Sequence, residues 1–298
     1  MIGIIAAGGT GSRLGPLTAA VNKHLLPLYD KPMIFYPLST VMAAGARRIV
    51  IVTLTDAIPS FQRLLGDGSA FGIGITYVSQ DEPRGVADVI RVARPSIECE
   101  PFVFVLGDNF FYGPGLGRHL AEIRPDSGGH VFAASVKDPS AYGVVVMDSQ
   151  GQPTNIVEKP QSHESNLAIP GLYFYGRDVW PFIEHLSPSA RGELEISDLN
   201  RALLLEGKLS VTVLPRGTVW MDAGTVDDLE QASEFVSVVQ HRQGQLIGSP
   251  EEIAMANGWI DLDAVGHRAA SYSTSSYGQS LRKFAEEGQR TPDTPRSS

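Results

Sequence analysis

Hydrophobic residues along this chain come in short, nearly unbroken runs separated by longer amphipathic stretches. IGIIAA (2–7), RIVIVTL (48–54), GITYVS (74–79), FVFVLGD (102–108) and HVFAASV (130–136) are rich in β-branched and aromatic residues and predict strands. Between them, IFYPLSTVMAAGA (34–46), AIPSFQRLLGDG (57–68) and VADVIRVARPSI (86–97) predict helices. A strand that is apolar at nearly every position has to be covered on both faces. The alternation therefore predicts an α/β fold, Rossmann-like, with a mostly parallel sheet flanked by helices.

After about residue 137 the rhythm loosens. YGVVVMDSQGQPTNIVEKP (142–160) predicts two strands joined by a Ser-Gln-Gly turn, and GLYFYG (171–176) a third, so a β-rich insertion is expected beside the parallel sheet. GELEISDLNRALLLEG (192–207) has acids at its start and a glycine at its end, as a capped helix should. LSVTVLP (209–215) predicts a strand and VDDLEQASEFVSVVQHRQ (226–243) a long helix. The expected organisation is a main α/β unit over 1–245, a helical segment over 246–284, and a polar tail with two prolines over 285–298, expected to be disordered.

Composition narrows the function. The chain has 298 residues, 43% of them hydrophobic and 19% charged, enough to bury a sizeable core. A formal net charge of −9 argues against nucleic-acid binding through a basic surface. It leaves room for small anions, because a few placed cations set a local field. With one cysteine, Cys99, there is no intramolecular disulfide or thiolate cluster. The seven histidines show no paired ligand spacing. No apolar run is long enough to span a bilayer and the N-terminus has no charged lead, as expected of a soluble cytoplasmic protein with no membrane partner.

The chemistry is concentrated behind the first strand, in AAGGTGSRLGPLTAAVNKHLLP (6–27). Gly8, Gly9 and Gly11 follow a strand at what would be the sheet's carboxyl edge, where bare backbone N–H groups can converge on phosphate. Their spacing fits neither G-x-G-x-x-G nor G-x-x-x-x-G-K-[ST], which disfavours a dinucleotide-dependent dehydrogenase and a P-loop NTPase. Asp108 and Asp222 each close a predicted strand; alone, either reads as a turn former or helix cap, and together they suit Mg²⁺.

The whole string GGTGSRLGPLT…NKHLLPLYDKPMI resembles the signature of the sugar-1-phosphate nucleotidyltransferases. The likeness continues through FQRLLGDGSAFGI (61–73), VLGDNFFYG (105–113), YGVV (142–145), EKP (158–160), GLYFY (171–175), RGELEISDLN (191–200) and WMDAGT (220–225). It spans roughly residues 1–245, and the short-form thymidylyltransferase branch, which uses dTTP and glucose 1-phosphate, is the most similar, EEIAMANGWID (251–261) included.

The resemblance implies attack by a sugar-1-phosphate oxygen on the α-phosphorus of dTTP, with loss of pyrophosphate, as the entry step of dTDP-deoxysugar synthesis of the rhamnose type. It implies that Arg13 binds the triphosphate, that Lys23 lies against the reacting phosphates and that Lys159 holds the sugar phosphate. Asp108 and Asp222 would carry Mg²⁺. Glu158 and the backbone at Gly143 and Ile169 would meet the sugar, with Asn109 on sugar or ribose. Gln80 and the backbone of Gly85 would meet the pyrimidine, and Gly8, Gly9 and Gly11 the phosphates. Glu195 reads equally as a sugar contact or a helix acid, FFY (110–112) as pocket wall or subunit contact, and the three tryptophans as packing.

Two residues depart from the pattern: His24 and Asp88 stand where the short form often has glutamine, which opens the nucleotide selectivity; the same chemistry with UTP, or with another hexose 1-phosphate, is an alternative. A catalytically silent, nucleotide-sugar-binding regulatory homologue is a further one. The presence of Arg13, Lys23, Asp108, Lys159 and Asp222 favours an active enzyme. The resemblance also implies a homotetramer with a regulatory nucleotide site between subunits.

Overall fold

The computed structural model describes residues 1–9, 11–80, 82, 84–97, 100–162 and 164–290. Cys99, His163 and the end of the expected tail, 291–298, lie outside the described residues.

The first half winds as its hydrophobic runs predict. β1 (Ile2–Ala6) is followed by α1 (Phe35–Ala43), β2 (Arg48–Thr53), α2 (Ile58–Leu65), β3 (Gly74–Ser79), α3 (Val86–Ala93) and β4 (Phe102–Leu106). These four strands pair in parallel in the order β3-β2-β1-β4. Side chains alternate strictly. Ile5, Ile49, Ile51, Val103 and Val105 enter one core with α1, whereas Ile2, Ile4, Val50, Val52, Phe102 and Phe104 enter another with α3. Both faces are buried, hence the unbroken apolar runs.

The chain then passes through β5 (Asn109–Tyr112) and α4 (Leu116–Glu122) to β6 (Gly129–Ser135), β7 (Gly143–Met147), β8 (Pro153–Glu158), β9 (Leu167–Ala168) and β10 (Leu172–Tyr175). β10 runs antiparallel between β4 and β6, and β9, β7 and β8 follow outward, so the expected insertion continues the same ten-stranded sheet. Short α5 (Trp180–Glu184) leads to α6 (Ile196–Leu205), and β11 (Leu209–Val213) joins β6 in parallel. α6 starts later than its sequence predicts, because 189–194 are tied back as a turn: Ser189 N–H donates to Glu193 O at 2.8 Å and Leu194 N–H to Arg84 O at 2.7 Å.

β12 (Val219–Asp222) pairs antiparallel with β5, and α7 (Val226–Gln243) covers that ribbon. α7 is capped as a good helix should be: Thr225 Oγ1 accepts from Asp228 N at 3.2 Å, and Gly244 ends it. α8 (Pro250–Ala256), α9 (Leu262–Ser271) and α10 (Ser276–Arg290) follow. Ala254, Val265, Ala269, Tyr277, Leu281 and Ala285 belong to the same core as α1, and the fully buried Glu251 accepts from Tyr277 Oη at 2.5 Å. α10 reaches Arg290, past the point where the sequence predicts a disordered tail to begin. Ala285 has an apolar surface to pack on, which a tail would lack. Among the described residues no helix is long and apolar enough to cross a membrane.

Candidate active site

A sheet ordered 3-2-1-4 reverses direction at β1, and ligands of such sheets bind beyond the strand ends at that switch. Register places the ends together: Ala6 lies opposite both Val52 and Leu106, so the glycine loop and Gly107–Asp108 leave the sheet at one edge. A cavity of about 520 Å³ opens there. It brings together Gly8, Gly9, Arg13, Lys23, Gln80, Gly85, Asp108, Asn109, Gly143, Glu158, Lys159, Ile169 and Asp222. Of the candidate residues only Gly11 stays outside its lining; its carbonyl accepts from Thr18 Oγ1 at 3.0 Å, so it shapes the loop from behind.

One end of the cavity is built from charge. Asn22 anchors the turn that carries Lys23, its Nδ2 donating to Ala7 O at 3.0 Å and its Oδ1 accepting from His24 N at 2.9 Å. Lys23 Nζ then lies 2.5 Å from Asp108 Oδ2, while Asn109 Nδ2 donates to Asp108 Oδ1 at 3.0 Å. Burial alone would raise the Asp108 carboxyl; the Lys23 charge and these hydrogen bonds overcome it and hold it down to about 2. Asp222 sits opposite Asn109 across the β5–β12 ribbon, and Ala223 N–H donates to Asp108 O at 2.9 Å. Its Oδ1 is buried with no hydrogen-bond partner among the described residues. Burial, then repulsion from Asp108, pushes Asp222 up to about 7.

Two converging carboxylates, one carrying an unsatisfied buried oxygen, form the donor set a hard divalent cation takes, with phosphate and water completing its shell. Among the described residues no three His, Cys, Asp or Glu side chains cluster into a closed site, so the remaining ligands would have to come from substrate. Arg13 approaches from the glycine loop. A Cβ on Gly224 would meet Arg13 Nη2 at 2.9 Å and Asp222 Oδ1 at 2.8 Å, and Arg13 itself makes no ion pair among the described residues.

The other end is lined by Glu158, Lys159, Arg191, Glu195 and Ser197. Glu158 closes β8, its Oε2 accepting from Ser197 Oγ and its Oε1 lying 3.3 Å from Arg191 Nη2. Gly143 lies opposite it, and a Cβ there would stand 2.7 Å from Ser197 Oγ, so a larger residue would have to push the Ser197 hydroxyl aside. Lys159 follows with φ +44°, a left-handed conformation held by its N–H to Tyr142 O at 3.0 Å; its half-exposed side chain lines the cavity with Nζ 3.9 Å from Glu158 Oε1. On the third side Gln80 Nε2 donates to Asp88 Oδ2 at 2.8 Å, beside Gly85.

Several expectations change in detail. Asn109 lines the cavity with its amide partly engaged: one Nδ2–H donates to Asp108 Oδ1, and its Oδ1 accepts from Gly171 N at 3.0 Å and Trp220 Nε1 at 2.6 Å, so it braces Asp108 and keeps one N–H for a sugar or ribose. Ile169 lines the cavity, its N–H donating to Gly143 O at 2.8 Å and its carbonyl left for a ligand. Glu195 lines the cavity, with Oε1 accepting from Ser189 Oγ at 2.7 Å and Arg191 Nη2 at 2.9 Å. Phe110 is core, while Phe111 and Tyr112 line a second, smaller cavity. Trp220 does more than pack: it lines the site and sets its ring edge-on to Tyr142, 4.9 Å between centroids.

His24 lines the cavity as well. It is 1% exposed, its Nδ1 donates to Asn22 Oδ1 at 2.8 Å, and burial followed by the Lys23 charge lowers it to about 3, so it is a neutral wall under the lysine. Arg191, which ties Glu158 to Glu195, had no assigned role. Its signal was the i,i+4 acid within RGELEISDLN.

The chain's likenesses agree with this geometry. A profile of the nucleotidyl transferase family matches residues 2–238. A glucose-1-phosphate thymidylyltransferase of Mycolicibacterium smegmatis is 49% identical over 96% of this chain and 99% of its own. One from Neisseria meningitidis is 46% identical over 95% and 99%. Among solved structures, a Bacillus anthracis chain described as a glucose-1-phosphate thymidylyltransferase in complex with sucrose superposes with a TM-score of 0.73 at 36% identity, covering 79% of this chain and 94% of its own. A UDP-glucose pyrophosphorylase holding UDP-glucose shares the fold, with a TM-score of 0.70 at 23% identity over 82% of this chain and 100% of its own.

Proposed function

The chain belongs to the nucleotidyl transferase family, and on that premise we propose that it transfers a thymidylyl group from dTTP to α-D-glucose 1-phosphate, giving dTDP-glucose and pyrophosphate. One observation carries the reading. A single cavity is lined both by Arg13, Lys23 and the Asp108–Asp222 carboxylates and by Glu158, Lys159 and Ser197.

Two polyanions have to meet, so the work of the site is positioning and charge neutralisation. Arg13 and Lys23 hold the triphosphate and take up charge on the departing pyrophosphate. Lys159 steadies the phosphate of the sugar, whose oxygen attacks the α-phosphorus as the bond to pyrophosphate breaks. Glu158, fixed by Ser197 and Arg191, accepts from sugar hydroxyls. Gln80 and the Gly85 backbone meet the base. Asp108 and Asp222 would hold a divalent cation, which we assign as Mg²⁺. Bound there, it would screen the reacting phosphates and help align them.

We place the reaction in the cytoplasm. We also assign it, from the family likeness, a homotetramer with a regulatory nucleotide site between subunits. Sedimentation of the purified chain should give the tetramer mass, and a monomer at working concentration would remove that arrangement.

The test of the activity is a matrix of dTTP, UTP, dCTP and ATP against glucose 1-phosphate and other hexose 1-phosphates, read by pyrophosphate release. The highest kcat/KM is expected for dTTP with glucose 1-phosphate. Binding without release would favour a silent regulatory homologue, and a UTP maximum would move the nucleotide assignment.

A further inference from the structure

The base side of the cavity contains a residue pair whose polarity is fixed from behind. Asp88 stands in the first turn of α3, is 2% exposed, and has both carboxylate oxygens engaged: Oδ2 accepts from Gln80 Nε2 at 2.8 Å and Oδ1 accepts from Arg91 Nη2. A carboxylate accepts and does not donate. The Gln80 side chain therefore has to turn its nitrogen toward Asp88. Its oxygen is left facing the glycine loop, 3.7 Å from where a Cβ on Gly8 would lie.

A glutamine with no such neighbour flips its amide at little cost and offers an acceptor or a donor at the same point. We propose that Asp88 is a positioning residue that locks the Gln80 amide oxygen-outward, so that the subsite selects a pyrimidine with a ring N–H over one with a ring acceptor. Thymine and uracil carry that N–H at ring position 3, flanked by carbonyls; cytosine carries an unprotonated nitrogen there. The second Gln80 N–H remains for a flanking carbonyl. The proposal rests on the thymidylyl-transfer reading above, and it explains why a carboxylate serves where the related short forms often carry glutamine: the acid gives up a polar contact of its own and fixes its neighbour.

The measurement is kcat and KM for dTTP and dCTP at saturating glucose 1-phosphate in wild type, Asp88→Asn and Arg91→Ala. Asparagine keeps the shape but can donate as well as accept, so the lock is lost. The Asp88→Asn variant should raise the dTTP KM about tenfold, leave kcat within about twofold, and reduce the dTTP-to-dCTP preference about tenfold, the scale of one hydrogen bond misplaced. Arg91→Ala removes the other partner of Asp88 but leaves the Gln80 contact, and should keep the preference. An unchanged preference in Asp88→Asn, or an equal fall in Arg91→Ala, overturns the proposal.

If Asp88→Asn does not fold, Asp88→Gln tests the same point, since its amide can donate or accept: it should reduce the preference as asparagine does, and a retained one overturns the lock. A wild type that uses UTP instead of dTTP revises the thymidylyl reading, and the comparison then runs with UTP and CTP. Failure of that reading shows in wild type, whereas failure of this one shows only in the variants.

Discussion

Replacing Asp222 by asparagine should lower turnover by about 10³-fold while making the metal-free protein more stable at neutral pH. The two effects have one cause. Asp222 is buried beside Asp108, its Oδ1 has no partner among the described residues, and its carboxyl is pushed up to about 7 by burial and by its neighbour's charge. The unfolded carboxyl titrates near 3.8. Between those two values the folded chain binds more protons than the unfolded one, so stability falls as pH rises through this window and levels off above about 7. Asparagine removes that slope.

In the presence of a chelator, the wild-type and Asp222→Asn melting temperatures should agree near pH 4 and separate by at least about 3 °C at pH 8. Adding Mg²⁺ should raise only the wild type. Asp108→Asn should lose turnover to a similar extent without the gain, because Asp108 is already compensated by Lys23 at 2.5 Å. Near-normal turnover of either variant in saturating Mg²⁺ would sink the metal assignment, and parallel melting curves from pH 4 to 8 would sink the electrostatic account of Asp222.

Gly85→Ala should cost at least about 3 kcal/mol of stability and raise the dTTP KM more than tenfold. Gly85 has φ +103°, and a Cβ on it would lie 2.5 Å from Leu194 O and 2.6 Å from Leu194 N. Those atoms cannot step aside, because Leu194 N–H donates to Arg84 O at 2.7 Å and Leu194 O accepts from Ala87 N at 3.1 Å. The methyl group has to break this backbone knot, which joins the base side of the site to the segment carrying Arg191 and Glu195. Urea denaturation and dTTP kinetics read the two effects, and an alanine variant unchanged in both would refute the account.

What the amino-acid pattern discloses here follows what local chemistry determines. β1, β2 and β4 were legible because burial on both faces leaves no polar position in their interiors, and α7 because its cap, acidic first turn and terminal glycine all lie within one stretch. That β7, β8 and β9 extend the main sheet was not legible: nothing in YGVV names its partner, which is fixed by β10 returning antiparallel to β4. At the site, the charged residues were legible through their motifs. The commitments of neutral groups were not. Asn109 accepts from a glycine 62 residues away and a tryptophan 111 away, and only the assembled fold engages its oxygen. Arg191 escaped notice for the same reason, since its second acid, Glu158, lies 33 residues back.

The β5–β12 ribbon sets limits on how the chain can vary in length. Asp222 faces Asn109 because Val219, Trp220 and Met221 pair in turn with Tyr112, Phe111 and Phe110. A strand shifted by one residue turns every side chain to its opposite face. A single-residue insertion or deletion inside 109–112 or 219–222 would therefore swing one carboxylate out of the cavity while leaving composition and hydrophobicity almost untouched. The exposed turn at 148–152 has no such bookkeeping and can absorb added residues. Lineages of this chain should thus diverge by length at the rim of the sheet and by substitution alone along these eight positions.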